Sequence, residues 1–491
     1  MDRFAAAVAA AAALRVLAGS AALPFFHSTD EQAHYDMVFK YAHGHIPRRL
    51  ERHDPRANRC VALYGTYEFL NPPSSFDQGS IPAPIWARPA GEAAAEFRDR
   101  LDRWNARVDI ESTRPPLYYA AVALWYSLGR ALGQRGGDAL YWIRFLNAPV
   151  IALTVLLAYY SMRRHFPGEP LYRLGAPLFI AAFPQDVFYA ISNDVLSALL
   201  FGAAFFMLLE TSRQPSPGAA FHGLAGFVAA LAILAKWTNV AILAPAAVFM
   251  ILSRGGGASR RAALICGAAI PVALWCSWVY HNQGALLGET ATTAFAGWTP
   301  KPLTQILHHP LFTWRGSTYF TSAFLSTFWR GELQWHGRSA TAGPLDIFYT
   351  ISSCALVAIA ALSLRRRNLP REERLACLGA LAAMAAFVAQ LVWASIRFDF
   401  GPYPYPSRAA PFLISGRLAL GMLLPFLILY LRGLKTLTAS WTDKTRIYLC
   451  ATCCAIIFAS GIYSLRPMIA SRYNWLHFPA GPAVAAAFRC E

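Results

Sequence analysis

Apolar runs long enough to cross a bilayer alternate with polar segments along most of the chain. A transmembrane helix needs about 20 apolar residues, and the first such run covers residues 4–25. The runs predict an all-α polytopic membrane protein with about eleven transmembrane helices. The later runs cover about 140–161, 172–189, 195–209, 219–236, 239–252, 262–280, 344–364, 375–396, 411–431 and 446–465.

The apolar run 117–132 decides the orientation of every later helix. If it spans, the arginine clusters between the helices fall on the side of the long polar section. If it lies along the membrane surface as a juxtamembrane helix, they fall on the opposite side together with Arg3, as the positive-inside rule requires. We therefore expect a cytoplasmic N-terminus, an extracytoplasmic C-terminus and large outer loops at 26–139 and 281–342. The clusters are Arg163–Arg164, Arg254 with Arg260–Arg261, Arg365–Arg367, and Arg432 with Lys435.

Composition supports this class of protein. Hydrophobic residues make up 56% of the chain and charged residues 14%, which excludes an ordinary soluble protein of this length. The net charge of +17 does not indicate nucleic-acid binding, because the arginines lie in short clusters between apolar runs. The first run resembles a signal peptide, but its length and its Arg15 favour an uncleaved helix. Of nine cysteines, Cys60 and Cys490 fall in outer regions, and the sequence leaves open whether they pair.

An adjacent acidic pair, Asp30 and Glu31, follows the first apolar run. It can be an ordinary helix cap or a functional pair at the membrane exit, and the local sequence leaves both interpretations open. The same outer face receives Asn193–Asp194, which can also be a plain cap. Lys236 and Arg114 belong to this face too, although each can simply extend to the interface. Acids and bases at one membrane surface suit an enzyme in which bases hold a lipid-linked phosphate and a carboxylate accepts a proton.

Four short motifs resemble a family of bacterial membrane proteins of unassigned function within the GT-C glycosyltransferase superfamily. They are residues 29–35 (TDEQAHY), 44–47 (GHIP), 114–119 (RPPLYY) and 192–194 (SND), chiefly in the first half of the chain. The resemblance implies an N-terminal module at 1–210 and a C-terminal module at 211–491. It also implies a multi-pass enzyme of the bacterial inner membrane. Such an enzyme transfers a sugar from a polyprenyl-phosphate donor to an extracytoplasmic glycan, lipid or protein.

The resemblance also implies roles for individual residues. The acidic pair after the first helix is similar to that of protein O-mannosyltransferases, which makes Asp30 or Glu31 the catalytic base. Asp194, next to Asn193, matches the acid in the second outer loop of oligosaccharyltransferases. Arg114 stands where aminoarabinose transferases have a basic residue that binds the lipid phosphate. Further candidates are Lys236, Arg397 and Arg408 for the donor phosphate, and His34 for orienting the acids.

Other functions remain as alternatives. A divalent cation held by Asp30 and Asp194 is conceivable, and the sequence does not decide it. A transporter of a lipid or small solute would explain the many helices, but it predicts internal repeats and ionisable groups near the membrane middle. We find no repeat, and the charges gather at one surface. A scaffold that has kept the fold without the activity would be expected to lack the acidic pair, which this chain retains.

Overall fold

The computed structural model describes residues 2–71, 73–76, 81–213, 215–252, 257–340, 343–365, 369–401, 405–474 and 490. Helices dominate this part of the chain. The α-helices are α1 (Arg3–Ala22), α2 (Glu31–Ala42), α3 (Pro55–Tyr64), α4 (Tyr67–Leu70), α5 (Ala90–Asn105), α6 (Leu117–Ala131), α7 (Gly136–Phe145), α8 (Asn147–His165), α9 (Pro170–Ala182), α10 (Asp194–Thr211), α11 (Ala219–Ala235), α12 (Leu243–Leu252), α13 (Ala258–Gln283), α14 (Glu289–Phe295), α15 (Leu303–Leu307), α16 (Trp314–Arg330), α17 (Gly343–Ser363), α18 (Arg371–Arg397), α19 (Leu423–Leu437) and α20 (Asp443–Ile469).

Each of the eleven predicted apolar runs contains a helix. Eight helical segments of the described chain are long and apolar enough to cross a membrane, so the protein is a mostly helical polytopic membrane protein. The remaining three runs form shorter helices, α9, α11, and the segment Trp237–Leu252 that ends in α12. The eight candidates are Arg3–Ala22, Gly136–His165, Asp194–Thr211, Ala258–Gln283, Gly343–Ser363, Arg371–Arg397, Gly416–Leu437 and Asp443–Ile469.

Short antiparallel ribbons join distant parts of the loops, a detail that the all-α prediction did not include. In the first ribbon, Glu51 pairs with Asp109 and Arg52 with Val108, so the two ends of the polar section after α2 meet. The second ribbon joins the loop after α14 to the segment after α18. The strands are β1 (Glu51–Arg52), β2 (Val108–Asp109), β3 (Thr299–Pro300), β4 (Gln334–Trp335), β5 (Arg338–Ser339) and β6 (Phe398–Asp399).

The ends of α1 and α8 show how the helices alternate in direction. Near the start of α1, the Tyr159 hydroxyl donates to Asp2 at 2.5 Å. At the other end of both helices, the Arg144 guanidinium donates to the carbonyl oxygens of Leu23 and Pro24 at 3.0 and 2.8 Å. The two helices are therefore antiparallel, and the long polar section leaves the bundle beside the start of the α7–α8 segment.

The basic clusters and the long loops lie at opposite ends of the helices. At the end away from the long loops, Arg164 pairs with Glu210 at 2.8 Å and Arg213 with Glu372 at 3.2 Å. Lys435 pairs with Glu169 at this same end, at 2.8 Å. This separation of charges is the one that the positive-inside argument requires. Of the predicted clusters, Arg254, Arg366 and Arg367 lie outside the described residues.

The first polar section folds around an apolar core of its own. Phe25, Tyr35, Phe39, Trp86 and Tyr119 are all buried in it, together with side chains of α3, α6 and α7. This core is separate from the main core between the membrane helices.

Helix α6 corresponds to the run 117–132. With 15 residues it is shorter than the eight candidate spans. The indoles of Trp125 and Trp142 stack with centroids 4.3 Å apart, and each indole N–H donates to the other residue's carbonyl at 2.7 Å. This pair fixes α6 against α7.

A disulfide joins Cys60 in α3 to Cys490, with Cα atoms 4.9 Å apart. Tyr473 is fully buried in the core of the first polar section. Both contacts bring the C-terminal part of the chain to the first outer loop.

The segment Gly416–Leu437 lies at the centre of the bundle and is almost entirely buried. A short 3₁₀ helix, Gly416–Met422, leads into α19. By contrast, α13 and α20 lie at the periphery, where they expose large apolar side chains such as Leu274 and Tyr463. Side chains of this kind suit contact with lipid tails.

Candidate functional site

Asp30 occupies the N-cap position of α2 but does not act as a cap. Its backbone is left-handed, with φ 64° and ψ 3°, and its side chain makes no capping hydrogen bond. A non-glycine residue in this conformation costs on the order of 1 kcal/mol, which the surrounding structure must offset. The carboxylate remains 28% exposed, whereas the adjacent Glu31 is buried. Asp30 is therefore directed toward other elements instead of its own helix.

Arg417 binds three carboxylates at once. Its Nη2 donates to Asp30 Oδ2 at 2.5 Å, its Nη1 to Asp194 Oδ2 at 3.3 Å, and its Nε to Glu332 Oε2 at 3.1 Å. The planar guanidinium offers donors in fixed directions, so one side chain can orient several acids. The positive charge between Asp30 and Asp194, where the sequence had left room for a divalent cation, comes here from Arg417.

Asp194 is fully buried and has a second cationic partner in Lys236. The Ser192 hydroxyl donates to Asp194 Oδ2 at 2.9 Å. Asn193, which precedes α10, is buried but forms no side-chain cap. The structure thus brings Asp30, Asp194 and Lys236 together.

Glu31 has surroundings quite different from those of Asp30. It is buried, and its two carboxylate oxygens accept hydrogen bonds from Nε and Nη2 of Arg144 at 2.8 and 2.9 Å. The Ile191 N–H also donates to Glu31, at 3.1 Å. With both oxygens engaged, Glu31 ties the start of α2 to α7 and to the segment before α10.

His34 begins a hydrogen-bonded chain that ends at Arg114. His34 Nδ1 lies 2.9 Å from the Tyr119 hydroxyl, which donates to Glu111 at 2.8 Å, and Arg114 Nε donates to Glu111 at 3.4 Å. Burial opposes ionisation of Glu111, but Arg114, His34 and Tyr119 outweigh it and lower its pKa to about 2. Burial lowers the pKa of His34, although Glu111 and Asp30 oppose the shift. Near neutral pH the chain therefore joins a neutral imidazole to an ionised carboxylate.

Arg397 and Arg408 lie elsewhere. Arg408 pairs with Asp399 through two hydrogen bonds of 3.1 and 3.0 Å, and its side chain is 72% exposed. Arg397 stands over the Trp393 ring, 5.8 Å from its centroid. Among the described residues, neither arginine contacts the group formed by Asp30, Asp194, Lys236, Glu332 and Arg417, which we call the acid–base cluster.

Sequence reasoning missed Arg417, Glu332 and Glu111. Arg417 falls inside an apolar run, and only its position near the outer end of that run, like that of Lys236, could have singled it out. Glu332 lies in the polar section 281–342, where no motif marks it.

Two pockets open near these residues. An apolar pocket of about 370 Å³ lies between α6, α8 and α10, with Tyr118, Val122, Trp125, Leu128, Leu146 and Leu196 among its lining residues. The Tyr118 ring packs edge-on against His34, with centroids 6.2 Å apart. Arg114 lines a second, small pocket together with Trp237, Trp275 and Leu287. The first pocket is almost entirely apolar, whereas Arg114 places a charged group beside the apolar side chains of the second.

The family described as "Predicted membrane protein (DUF2142)" matches residues 14–397, which is more than three quarters of the chain. No curated protein matches it in sequence. Among solved structures, the chain is similar to ArnT from Cupriavidus metallidurans bound to undecaprenyl phosphate. The two share 14% identity over 88% of this chain and 78% of the other, with a TM-score of 0.36. That likeness is too weak to carry an argument.

Proposed function

We propose that this chain, which belongs to the DUF2142 family of predicted membrane proteins, transfers a sugar from a polyprenyl-phosphate donor to an acceptor hydroxyl. Its fold is then GT-C-like, with about eleven spans. The observation that carries the proposal is the position of Asp30. It is a partly exposed carboxylate at a membrane exit, held by Arg417 beside the buried Asp194–Lys236 pair.

Asp30 is the general base in this proposal. Arg417 engages its Oδ2, and Oδ1 has no hydrogen-bond partner in the described part of the chain. The acceptor hydroxyl gives its proton to this carboxylate while its oxygen bonds to the anomeric carbon. The bond from that carbon to the phosphate breaks, and polyprenyl phosphate leaves with the electron pair. Displacement in one step inverts the anomeric configuration. Glu31, with both oxygens bound, keeps a structural role.

Arg114 and Lys236 are the proposed donor-phosphate ligands. Arg114 is a quarter exposed at the rim of the pocket that it shares with Trp237 and Trp275. Lys236, at the end of α11, belongs to the acid–base cluster through its contact with Asp194. Arginine and lysine bind phosphate through charge-assisted hydrogen bonds. We leave Arg397 and Arg408 out of the donor site because they do not contact the cluster.

The polyprenyl chain fits the apolar pocket between α6, α8 and α10. Leu124 and Leu128 on α6 are exposed and continue its apolar wall. Tyr118, near the start of α6, connects this wall to His34 in α2. A donor entering sideways from the bilayer would place its lipid here and its phosphate toward Arg114.

Two features support the side of the membrane that we propose for the site. The basic clusters lie at the end of the bundle away from the site, which favours a cytoplasmic position for that end. Cys60 and Cys490, at the site's end, form a disulfide, and disulfides persist in oxidising compartments. We therefore place the site, the acceptor and the C-terminus outside the cytoplasm of a bacterial inner membrane.

The test is transfer of labelled sugar in membranes that contain the wild type or a variant, from a panel of polyprenyl-phosphate sugars. We expect the wild type to use one donor and Asp30→Asn to lose transfer at unchanged expression. Arg408→Gln is the control, because it removes an exposed charge outside the cluster. Full transfer by Asp30→Asn would remove Asp30 as the base, and no transfer by the wild type from any donor would contradict the donor class.

A further inference from the structure

A second group of ionisable residues lies in the first outer loop, apart from the acid–base cluster. Asp36 belongs to α2, His53 follows β1, and Asp109 ends β2. All three are buried, and one ligand atom from each lies within 4.8 Å of the other two. The pairing of Glu51 with Asp109 in the β1–β2 ribbon brings these separate segments together.

One oxygen of each carboxylate accepts a hydrogen bond from a backbone N–H. Asp36 Oδ1 accepts from Asp54 N at 2.7 Å, and Asp109 Oδ1 accepts from Glu111 N at 2.8 Å. The other oxygen of each carboxylate, Oδ2, faces the remaining members of the group. Asp109 Oδ2 and His53 Nδ1 are buried and have no hydrogen-bond partner among the described residues, and His53 Nδ1 lies 3.8 Å from Asp36 Oδ2. A buried polar atom without a partner is costly, so these atoms point to a missing ligand.

The charges of the group do not balance. Lys40 Nζ lies 2.7 Å from Asp36 Oδ2 but 4.0 Å from Asp109 Oδ2. The same ammonium also lies 3.2 Å from Glu51 and donates to the Arg52 carbonyl at 2.8 Å. One ammonium therefore faces two buried carboxylates and a third that is partly exposed. The excess negative charge needs either a bound proton or a bound cation.

We propose that Asp36, His53 and Asp109 form a binding site for a divalent transition metal, with Zn²⁺ the best match. One imidazole nitrogen and two carboxylate oxygens suit zinc better than Mg²⁺ or Ca²⁺, which take oxygen ligands alone.

Metal binding would require a small closure of the group. Ligand atoms about 2.0–2.2 Å from a tetrahedral zinc ion lie roughly 3.4 Å apart. The separation of 3.8 Å between His53 Nδ1 and Asp36 Oδ2 must therefore shrink by about 0.4 Å, and no separation within the group must shrink by more than about 1.4 Å. Lys40 would turn away from Asp36 while keeping Glu51 and the Arg52 carbonyl. The bound ion would then connect Asp36 in α2 to His53 and Asp109 at the β1–β2 ribbon. This role is structural and does not depend on sugar transfer.

The experiment measures metal binding directly. Full-length protein carrying a tag without histidines is treated with a chelator, passed through a desalting column and titrated with Zn²⁺ or Co²⁺. We expect about one zinc per chain by elemental analysis, a visible absorption band with Co²⁺, and a saturable rise in the thermal unfolding midpoint. Asp109→Asn and His53→Gln should each weaken binding at least 100-fold.

Two further variants separate a metal site from a merely structural cluster. Lys40→Met removes the competing ammonium and should tighten metal binding about 10-fold. His336 belongs to another acid–histidine pair, in which its Nε2 lies 2.9 Å from Glu68 Oε1. The variant His336→Gln should bind zinc like the wild type. The proposal fails if the wild type takes up no stoichiometric zinc and shows no cobalt band, whether or not the variants fold. It also fails if Asp109→Asn and His53→Gln bind as tightly as the wild type.

Discussion

Arg417 donates to Asp30 at 2.5 Å although 387 residues separate them in the chain. The same guanidinium holds Asp194 and Glu332, so residues from the polar sections 26–113 and 281–342 and from two buried helical segments meet at one side chain. Because every carboxylate of the acid–base cluster depends on it, Arg417 fixes their relative positions. The candidate site is therefore a rigid arrangement made by long-range contacts.

The adjacent acids Asp30 and Glu31 should respond differently to amide substitution. Asp30→Asn removes the proposed base from a partly exposed position, so we expect loss of transfer with a thermal unfolding midpoint close to the wild type. Glu31→Gln leaves the buried Arg144 without its carboxylate, which should lower the free energy of unfolding by about 3 kcal/mol. Thermal unfolding in detergent and the transfer assay measure the two effects separately. Equal loss of stability in both variants would contradict this division of roles.

Arg417→Lys should reduce kcat by about 10²-fold or more, because an ammonium cannot hold three carboxylates in fixed directions. Stability should fall as well, since Asp194 is buried. The matched control is Arg408→Lys, which changes an exposed arginine paired only with Asp399 in the described structure. We expect the control to keep wild-type kinetics, and a similar loss in both variants would argue against a special role for Arg417.

Much of this arrangement could be predicted from the sequence, because helix direction alone decides which ends of the spans share a surface. Asp30, Asp194 and Lys236 stand at such ends, and counting spans was enough to bring them together. Which side chains on this face bind one another could not be predicted in the same way. Arg397 and Arg408 also stand on that face, yet they contact Trp393 and Asp399, whereas Arg417 from an apolar run is the residue that binds Asp30.

The difference between Asp30 and Glu31 was also beyond sequence reasoning. It depends on a left-handed backbone at Asp30 and on the position of Arg144, more than 110 residues further along the chain. Charge and spacing indicate which residues share a surface. Burial and side-chain geometry decide which of them remains accessible.

Filling the apolar pocket should weaken donor binding. Ala121 lines this pocket and is exposed, so Ala121→Trp adds bulk without disturbing the packed core. We expect a rise of about 10-fold or more in KM for a long polyprenyl donor, with little change in kcat. A donor with a shortened lipid should be less affected. The same substitution at Ala7, which is exposed on α1 and does not line the pocket, is the control.

Acid should destabilise the protein through His27. Burial and the nearby Arg144 lower the pKa of this histidine to about 4, although Glu31 and the Pro24 carbonyl favour its protonated form. Below pH 6.5 the unfolded chain binds a proton that the folded protein excludes, so stability falls as the pH drops from 6.5 toward 4. The loss is at most about 3 kcal/mol for a group this deeply buried.

Unfolding midpoints at pH 7.5, 6 and 5 test this prediction. His27→Gln should show a smaller loss of stability on acidification, because it removes the excluded proton. His308→Gln, which changes an exposed histidine, should follow the wild type. An unchanged pH dependence in His27→Gln would assign the acid sensitivity to other groups.

The central position of the segment Gly416–Leu437 has a consequence for biosynthesis. This segment leaves the ribosome after most of the bundle has been made, yet it occupies the middle. The earlier helices therefore cannot complete their native packing until it arrives. A truncated chain that stops before Arg417 would leave Asp30, Asp194 and Glu332 without their shared cation. Incomplete products would thus lack both the central packing of this segment and the positive charge that the three carboxylates share.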